Sequence, residues 1–326
     1  LQFRVNDNLP ASAYHRVSIE EKTIFVDSVQ STGIQGSFQS GEGVKLDNFF
    51  VNSLFELEED SLYSALSTKK TIRNAVSAGM FFRPRVNYSP VKGDSSRAMA
   101  TLDLRTSNLF SLGLDTELNQ KSTGFLGPAI GVTATQRNLF GSAENLEVIL
   151  SGYLDFPYGV YSERSSRSSG ISLNARLSTP ALRSPLGFIT RNALSIPRRG
   201  ISLGIEYNNR RDYFRITAWK SSYDLRWNTS PKITHQIGVV NLSYSYLINT
   251  TQAFDTLLDQ NAFIRNSFRD QLITGPSYRF TWNNTQEPFK TFRTYYDAEV
   301  QLAGTIFRGV GLLANARPEQ YTIFGV

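Results

Sequence analysis

The 326-residue sequence predicts a mainly β protein: a small N-terminal α+β domain, residues 1–106, followed by the first part of an antiparallel transmembrane β-barrel, residues 107–326. Apolar residues at helical spacing are confined to the N-terminal region. From about Asn108 onward, apolar and polar residues alternate along extended segments instead. No apolar run approaches the about 20 residues that a membrane-spanning helix requires, so a helical membrane protein is excluded.

Composition and charge narrow the functional classes. The chain has no cysteine, which excludes a disulfide scaffold and a thiol-based metal or redox site. A formal net charge of +6 would suit nucleic acid or an anionic surface. The basic residues, however, occur as isolated pairs separated by acidic residues, such as Lys69 with Lys70 and Arg210 with Arg211. This distribution is typical of a solvated surface, and we expect no nucleic-acid partner.

The N-terminal region predicts the order strand, helix, helix, strand, strand. Its first strand is residues 15–27, and a loop rich in glycine and serine follows. Apolar residues at helical spacing within 44–57 predict the first helix. The second helix is predicted to have Ser67 as its N-cap and Gly79 as its C-terminal stop. The two strands that complete the domain are residues 82–91 and 97–106.

The region after residue 107 predicts about nine antiparallel strands, each with one apolar and one polar face. The hairpin 127–156, around the turn RNLFG, shows the pattern on both of its arms. In the regular strands the charged residues all fall on the polar face: Asp115, Glu117, Arg137, Glu147, Asp155, Arg176, Glu206, Arg279, Arg293, Asp297 and Glu299. One face of the predicted sheet is therefore apolar and the other is wet.

Three segments fit this pattern less well. The apolar parity changes within residues 212–227, which requires a bulge or a misplaced turn, and residues 232–249 are similarly irregular. Pro276 interrupts a further strand, where it would remove a ladder hydrogen bond. The boundaries of these strands are the weakest part of the prediction.

The length of the strands indicates what covers the apolar face. A β-sandwich would also alternate, but these strands run for about 10 residues, which suits a tilted bilayer crossing better than a usual strand of about 5 to 6. Arg or Lys facing lipid would cost about 2–4 kcal/mol at the bilayer midplane, which explains why charges avoid that face.

The links between successive predicted strands are alternately short and long, apart from the long link 179–200, which lies where a short one is expected. Trp227 and Trp282 lie at strand ends, where an aromatic girdle or ordinary core packing would place them.

These stretches resemble the BamA/TamA family of outer-membrane assembly factors, in its Bacteroidota-like branch. Residues 54–106 are similar to a POTRA domain. SLGLDTELN at 111–119 and GVTATQRNLFGSAENLEVILSGYLDF at 131–156 resemble the family's first three barrel strands, with RNLFG at its first inner-side turn. The resemblance implies about sixteen strands, of which about nine are visible here. FRGVG at 307–311 precedes the position of the family's Arg-Gly motif, so we expect a chain that is incomplete at its C-terminus.

The resemblance implies an insertase in the bacterial outer membrane, with the N-terminal domain in the periplasm. Client outer-membrane proteins, the lipid bilayer and accessory assembly subunits are its expected partners. Client strands would add to the POTRA edge and to a lateral seam at the first barrel strand. The seam residues, acting through main-chain N–H and C=O groups, would be Phe110, Ser111, Leu112, Gly113, Leu114, Asp115, Thr116 and Glu117. A passive outer-membrane channel or transporter with a periplasmic docking domain is the alternative, and a soluble β-rich binding protein is a third.

The sequence contains no motif of catalysis. His15 and His235 are its two histidines, too isolated for a metal cluster, and the common nucleophile, phosphate-binding and zinc motifs are absent. Asp297 and Glu299 share a strand face, as any two residues lining a lumen would. We expect no catalytic residue, no metal and no cofactor, and we do not expect an enzyme. No signal peptide opens the sequence, which predicts a mature or internal segment.

Overall fold

The computed structural model divides the chain into two compact units. The first comprises Leu1–Leu109, Arg137–Glu144 and Pro180–Pro197, and the second comprises Phe110–Gln136, Asn145–Thr179 and Arg198–Val326. The residues that the structure describes are 18–26, 29–31, 38–39, 45–57, 59, 61–91, 94–122, 124–158, 167–182, 193–285 and 292–303. The predicted strand end at 304–306, FRGVG and His15 lie outside them.

The first unit is built from a four-stranded sheet, two helices and a small hairpin. Its elements are β1 Ser18–Val26, β2 Val29–Ser31, β3 Phe38–Gln39, β4 Lys45–Leu46, α1 Asn48–Leu54, α2 Ala65–Ser77, β5 Arg85–Val91 and β6 Asp94–Leu104. The sheet order is β2-β1-β6-β5, with β1 and β6 parallel and the outer pairs antiparallel. The predicted order of strand, helix, helix, strand, strand is confirmed, with three short strands added.

Helix α2 begins earlier than predicted, and its N-cap is Ser64 instead of Ser67. The Ser64 hydroxyl accepts a hydrogen bond of 3.3 Å from the Ser67 N–H, as an N-cap side chain does. Ser64 has the extended backbone that an N-cap requires, whereas Ser67 lies in the first helical turn. Gly79 follows the helix with φ of +74°, a left-handed conformation that glycine adopts without strain. The predicted C-terminal stop is therefore confirmed.

The core of the first unit lies between the helices and the sheet. Its fully buried apolar side chains include Leu46, Phe50, Val51, Leu54, Ala75, Met80, Leu102 and Leu104. The turn that contains RNLFG belongs to this unit, and the Gly141 C=O accepts a 2.8 Å hydrogen bond from the Asp47 N–H at the start of α1. Gly141 has φ of +109°, so its left-handed backbone permits this contact.

The second unit is a nine-stranded antiparallel sheet whose strands follow chain order from β7 to β15. The strands are β7 Phe110–Lys121, β8 Phe125–Arg137, β9 Asn145–Pro157, β10 Ser168–Pro180, β11 Arg198–Arg210, β12 Phe214–Ser230, β13 Ile233–Thr250, β14 Gln271–Asn283 and β15 Tyr295–Gln301. Two short helices lie in the link between β13 and β14: α3 Gln252–Gln260 and α4 Ala262–Ser267. The predicted mainly β fold with about nine antiparallel strands is confirmed.

The nine-stranded sheet has an apolar outer face and a polar inner face. Residues directly opposite each other on antiparallel strands share a face, so the register assigns every side chain. Large apolar residues of the outer face are exposed: Phe110, Leu112, Leu114, Leu118, Ile130, Leu150, Leu154, Ile171, Leu173, Ile201, Leu203 and Val300. A sandwich would bury these side chains, whereas an outer face against lipid leaves them exposed to the bilayer.

The change of apolar parity predicted within residues 212–227 is real, but it needs neither a bulge against β11 nor a turn. β12 pairs with β11 in one unbroken register, which places Phe214 on the inner face. The ring of Phe214 packs there against Phe254 and Phe268 of the helical link, at centroid distances of 5.1 and 4.8 Å. The register between β12 and β13 does shift at three places, two with the extra residue in β13 and one with it in β12 at Thr229. The parity changes because the apolar Phe214 packs against the helical link on the inner face.

Pro276 remains inside β14 without breaking the sheet. The register between β13 and β14 shifts between Gly238 and Asn241, and Pro276 has no partner residue on β13 at that point. Its missing N–H is therefore not required for the ladder. On the other side, the Pro276 C=O accepts a 3.0 Å hydrogen bond from the Leu302 N–H. The predicted strand is confirmed, with the proline at a bulge.

The predicted alternation of short and long links is wrong. The end of the sheet that should carry long links also carries two links of three residues, 122–124 and 211–213, besides the helical link 251–270. At the other end the links range from two residues, 231–232, to seventeen, 181–197. Link length instead follows local packing: the 211–213 turn closes tightly through Asp212 at φ of +68°, and the helical link packs its aromatic rings on Phe214.

Candidate functional site

Strand β7 forms one edge of the nine-stranded sheet. It pairs with β8 over its full length, from Phe110 opposite Gln136 to Lys121 opposite Phe125, without a register shift. All 12 of its side chains are exposed. In the part of the chain that the structure describes, no strand pairs with its second edge. β7 therefore presents a row of backbone groups that can pair with another strand.

The predicted seam residues are the first eight residues of β7. Their faces alternate: Phe110, Leu112, Leu114 and Thr116 lie on the outer face, and Ser111, Gly113, Asp115 and Glu117 lie on the inner face. The structure thus places all eight side by side along one edge. A Cβ added to Gly113 would meet Thr133 at 3.8 Å, which is ordinary contact. Gly113 therefore does not serve close packing, since a side chain would fit at this position.

Inner-face side chains bridge strands that are not neighbours. Arg176 in β10 reaches across β11 to Asp224 in β12, with 2.9 Å between Nη2 and Oδ2, and its Nη1 donates to Ser202 Oγ at 2.8 Å. Gly200 in β11 lies beneath the guanidinium. A Cβ at that position would be 2.4 Å from Nη2. A side chain at this position would displace the guanidinium from its present place, so the glycine leaves room for the bridge as it stands.

A second bridge follows the same design. The Tyr153 hydroxyl in β9 donates to Asn208 Oδ1 in β11 at 2.7 Å, crossing over Gly170 in β10. A Cβ at Gly170 would be 2.3 Å from the tyrosine ring. Asn208 in turn donates to Glu206, whose carboxylate pairs with Lys220 of β12 at 2.9 Å. The inner face of β9–β12 is thus a connected network of polar contacts.

A third bridge joins the edge strand to β9. Lys121 at the end of β7 forms an ion pair with Asp155, whose side chain is buried, and Ser168 Oγ also donates to Asp155 at 3.4 Å. The preceding residue, Gln120, donates to the Tyr158 hydroxyl at 2.8 Å. The sequence analysis missed all three bridges, because they become visible only when the register of strands two apart is known. Glycines on the polar face were their one sequence signal.

An aromatic cluster lies beside the turn between β12 and β13. Trp227 stacks on His235 with 5.1 Å between ring centroids, and the histidine nitrogens form hydrogen bonds with Tyr278 Oη at 2.8 Å and Thr229 Oγ1 at 3.1 Å. Trp282 lies nearby on the outer face, opposite Ile233. This outer-face position at a strand end is typical of an aromatic girdle.

The described residues contain no group of three or more side chains that could hold a metal ion. Both ring nitrogens of His235 are already hydrogen-bonded. Asp297 and Glu299 both pair with Arg279, as residues of one inner face. Among the described helices, none has the length and apolarity needed to cross a membrane. The site that the structure offers is therefore a backbone edge flanked by polar bridges.

Comparison with known proteins identifies the fold. No family model and no curated protein matches the chain. BamA from Haemophilus ducreyi lacking POTRA domains 1–3 is similar in structure, with a TM-score of 0.51 and 13% identity over 89% of this chain and 49% of that one. CdiB from Acinetobacter baumannii also matches, with a TM-score of 0.36 and 8% identity over 89% of this chain and 53% of that one. CdiB from Escherichia coli matches with a TM-score of 0.34 and 12% identity over 89% of this chain and 55% of that one.

The second unit is a nine-stranded antiparallel sheet. Its fold is similar to that of the BamA barrel. The chain spans about half the length of the structures it matches, because it covers 49% to 55% of each.

Proposed function

We propose that the protein is an insertase of the bacterial outer membrane, in which the edge of β7 templates the strands of client β-barrel proteins. The observation that carries the proposal is an exposed strand of 12 residues whose second edge has no partner among the described residues. In lipid, an unpaired backbone group costs several kcal/mol, so such an edge binds an incoming β-strand strongly. The reaction requires main-chain pairing and no catalytic side chain.

The outer face supports the proposed location in the outer membrane. Its exposed leucine, isoleucine and phenylalanine side chains would contact lipid, and the ion pairs of the inner face would line a wet lumen. The similarity to the BamA barrel supports the same location. The first unit would then lie in the periplasm, where clients arrive. The resemblance to the BamA/TamA family and its Bacteroidota-like branch supports this assignment from the sequence side.

The first unit supports a role as a POTRA-like receiver of clients or accessory assembly subunits. Its sheet ends in β5, a seven-residue edge strand beside α2. Tyr88 of β5 is joined to Thr68 of α2 by a 2.5 Å hydrogen bond, and burial raises the pKa of Tyr88, so this hydroxyl stays neutral at physiological pH. The contact fixes α2 beside the edge. An extended peptide could add to β5 by β-augmentation.

A passive channel or transporter is the second candidate function. The second unit supports it, because a cavity of about 440 Å³ there is lined by Glu147, Arg176, Lys220 and Asn241 together with apolar residues such as Ile149 and Leu242. The charged and amide side chains of such a cavity could contact water and small solutes.

Site-specific crosslinking separates the two functions. Leu112→Cys or Gly113→Cys, in the full protein in membranes, should form a disulfide with a cysteine in the last strand of a nascent client. Leu203→Cys is the matched control, because Leu203 is 60% exposed on the same face, against 67% for Leu112, but lies on a strand paired at both edges. Equal adducts at both positions, or none at Leu112 and Gly113, would contradict the insertase. Solute flux through the purified protein without client adducts would favour the channel.

A further inference from the structure

We propose that Lys121 and Asp155 are positioning residues for strand templating: they anchor the far end of β7, so that clients pair with Phe110–Glu117 and not with the anchored end. The inference rests on the proposed function of β7. It adds a direction to that function, because an edge held at one end can open only from the other.

The ion pair has the geometry of an anchor. Lys121 lies on β7 and Asp155 on β9, so the contact spans the intervening strand β8. The Asp155 side chain is 4% exposed, whereas Lys121 is 49% exposed. A buried carboxylate without a partner is strongly destabilising, so Asp155 holds Lys121 in place. Separating the end of β7 from the sheet would leave Asp155 buried and without its charged partner.

Other contacts also hold this end of β7 to β9. The Lys121 ammonium lies 5.2 Å from the centre of the Tyr153 ring, and Gln120 donates to Tyr158 at 2.8 Å. The Tyr158 N–H also donates to the Gly124 C=O at 3.0 Å, in the turn that follows β7. Four separate contacts therefore fix this end to β9 and the residues just after it.

Strand β8 is adapted to the crossing. Gly127 lies opposite Asn119, close to the anchored end. A Cβ at Gly127 would be 1.6 Å from the Leu154 carbonyl oxygen of β9, so β8 and β9 approach more closely here than any side chain would permit. This close approach brings Lys121 within reach of the carboxylate beyond β8.

The first eight residues of β7 have no such support. In the part of the chain that the structure describes, no side chain from Phe110 to Glu117 forms a hydrogen bond or ion pair with β9; Glu117 accepts one weak bond of 3.5 Å from Asn119 of its own strand. Backbone pairing with β8 holds this segment. Eight residues extend over about 26 Å at about 3.3 Å each, whereas a tilted bilayer crossing takes about 9 to 11 residues. The unanchored segment therefore covers most, but not all, of one membrane-crossing strand.

Hydrogen exchange tests the anchor without any client. In Lys121→Gln, amide exchange at Leu118–Lys121 in the full protein should become about 5- to 30-fold faster, because the end of β7 opens more often. The charge swap Lys121→Asp with Asp155→Lys should restore slow exchange, which a role in shape alone would not. The matched control is Arg176→Gln, which removes the partner of Asp224, a carboxylate that is 5% exposed. It should leave exchange in β7 unchanged.

The anchor would be overturned if amide exchange at Leu118–Lys121 were unchanged in Lys121→Gln, or if Arg176→Gln had an equal effect on it.

A second measurement tests the direction of templating. In the parent, client adducts should form at Leu112→Cys and rarely at Leu118→Cys, whereas adding Lys121→Gln should raise adducts at Leu118→Cys severalfold. Equal adducts at both positions in the parent would also overturn the inference. Absence of all adducts would contradict the proposed function, while the exchange result would still decide whether the anchor exists.

Discussion

The interior strands β9–β12 and the edge strand β7 share one alternating sequence pattern, but different contacts hold them. The interior strands are joined across their neighbours by Arg176 with Asp224 and by Tyr153 with Asn208. The edge strand has one charged bridge, at its end. The backbone ladder is common to all of these strands, whereas side chains that skip a strand add contacts mainly in the interior; we expect those strands to open less readily than the first eight residues of β7.

This comparison carries the functional argument, because a templating edge must be less firmly held than the wall behind it. A wall that opened anywhere would leak and would offer clients no defined register. Bridges over Gly170 and Gly200 oppose opening in the interior. Removing an interior bridge and stiffening the edge strand are the two ways to change this difference in the protein.

The largest effect is expected from Gly200→Val. Its Cβ would lie 2.4 Å from the Arg176 guanidinium, so the arginine must move and Asp224 loses its partner while buried. The free energy of unfolding, measured in urea with lipid vesicles, should fall by about 3–5 kcal/mol. Gly113→Val is the matched control on β7, where the nearest atoms to an added Cβ are those of Thr133 at an ordinary 3.8 Å, and it should change stability by less than about 1 kcal/mol. An equal loss in both variants would show that the interior glycines have no special role.

A smaller loss of stability is expected from Leu203→Arg, which tests whether the outer face of the sheet excludes charge more strongly than the inner face. Leu203 is on the exposed outer face, and an arginine facing lipid should lower the free energy of unfolding by about 2–4 kcal/mol near the midplane. Thr281→Arg places the same charge on the inner face, directly opposite Asp297, and should cost less than about 1 kcal/mol. Vesicle-based urea unfolding measures both. A protein whose outer face is in water would tolerate Leu203→Arg as easily as Thr281→Arg.

Period-two alternation was sufficient to predict about nine strands and most of their faces, because neighbouring residues of a strand lie on opposite faces of the sheet. It failed where a side chain packs against something beyond its own strand. Phe214 lies on the inner face because the helical link covers it, and no local pattern encodes that contact. Ser67 was predicted as the N-cap of α2, whereas the extended backbone at Ser64 makes Ser64 the cap. The bridges depend on register between strands two apart, which a single sequence does not specify.

The free energy of unfolding is expected to change by about 1 kcal/mol in Tyr153→Phe. The variant keeps the ring over Gly170 and removes the 2.7 Å hydrogen bond to Asn208, so it isolates the polar part of the bridge. Tyr223→Phe, on the outer face of β12, is the control and should alter the free energy of unfolding by less than about 0.5 kcal/mol. If the two phenylalanine variants had equal free energies of unfolding, the hydrogen bond to Asn208 would contribute nothing, and the packing of the Tyr153 ring over Gly170 would account for the whole stabilising effect of the bridge.

The smallest effect is expected at the edge strand itself, from Gly113→Ala. Gly113 is not among the residues with positive φ, and a Cβ there meets Thr133 at an ordinary 3.8 Å, so alanine fits without strain. The substitution should stabilise the protein by about 0.4–1 kcal/mol, because the unfolded chain loses freedom. Hydrogen exchange of Phe110–Glu117 should slow, and client crosslinking at Leu112→Cys should fall in parallel. Slower exchange with undiminished crosslinking would mean that clients pair with β7 without opening it, and templating would then require the exposed edge but not its flexibility.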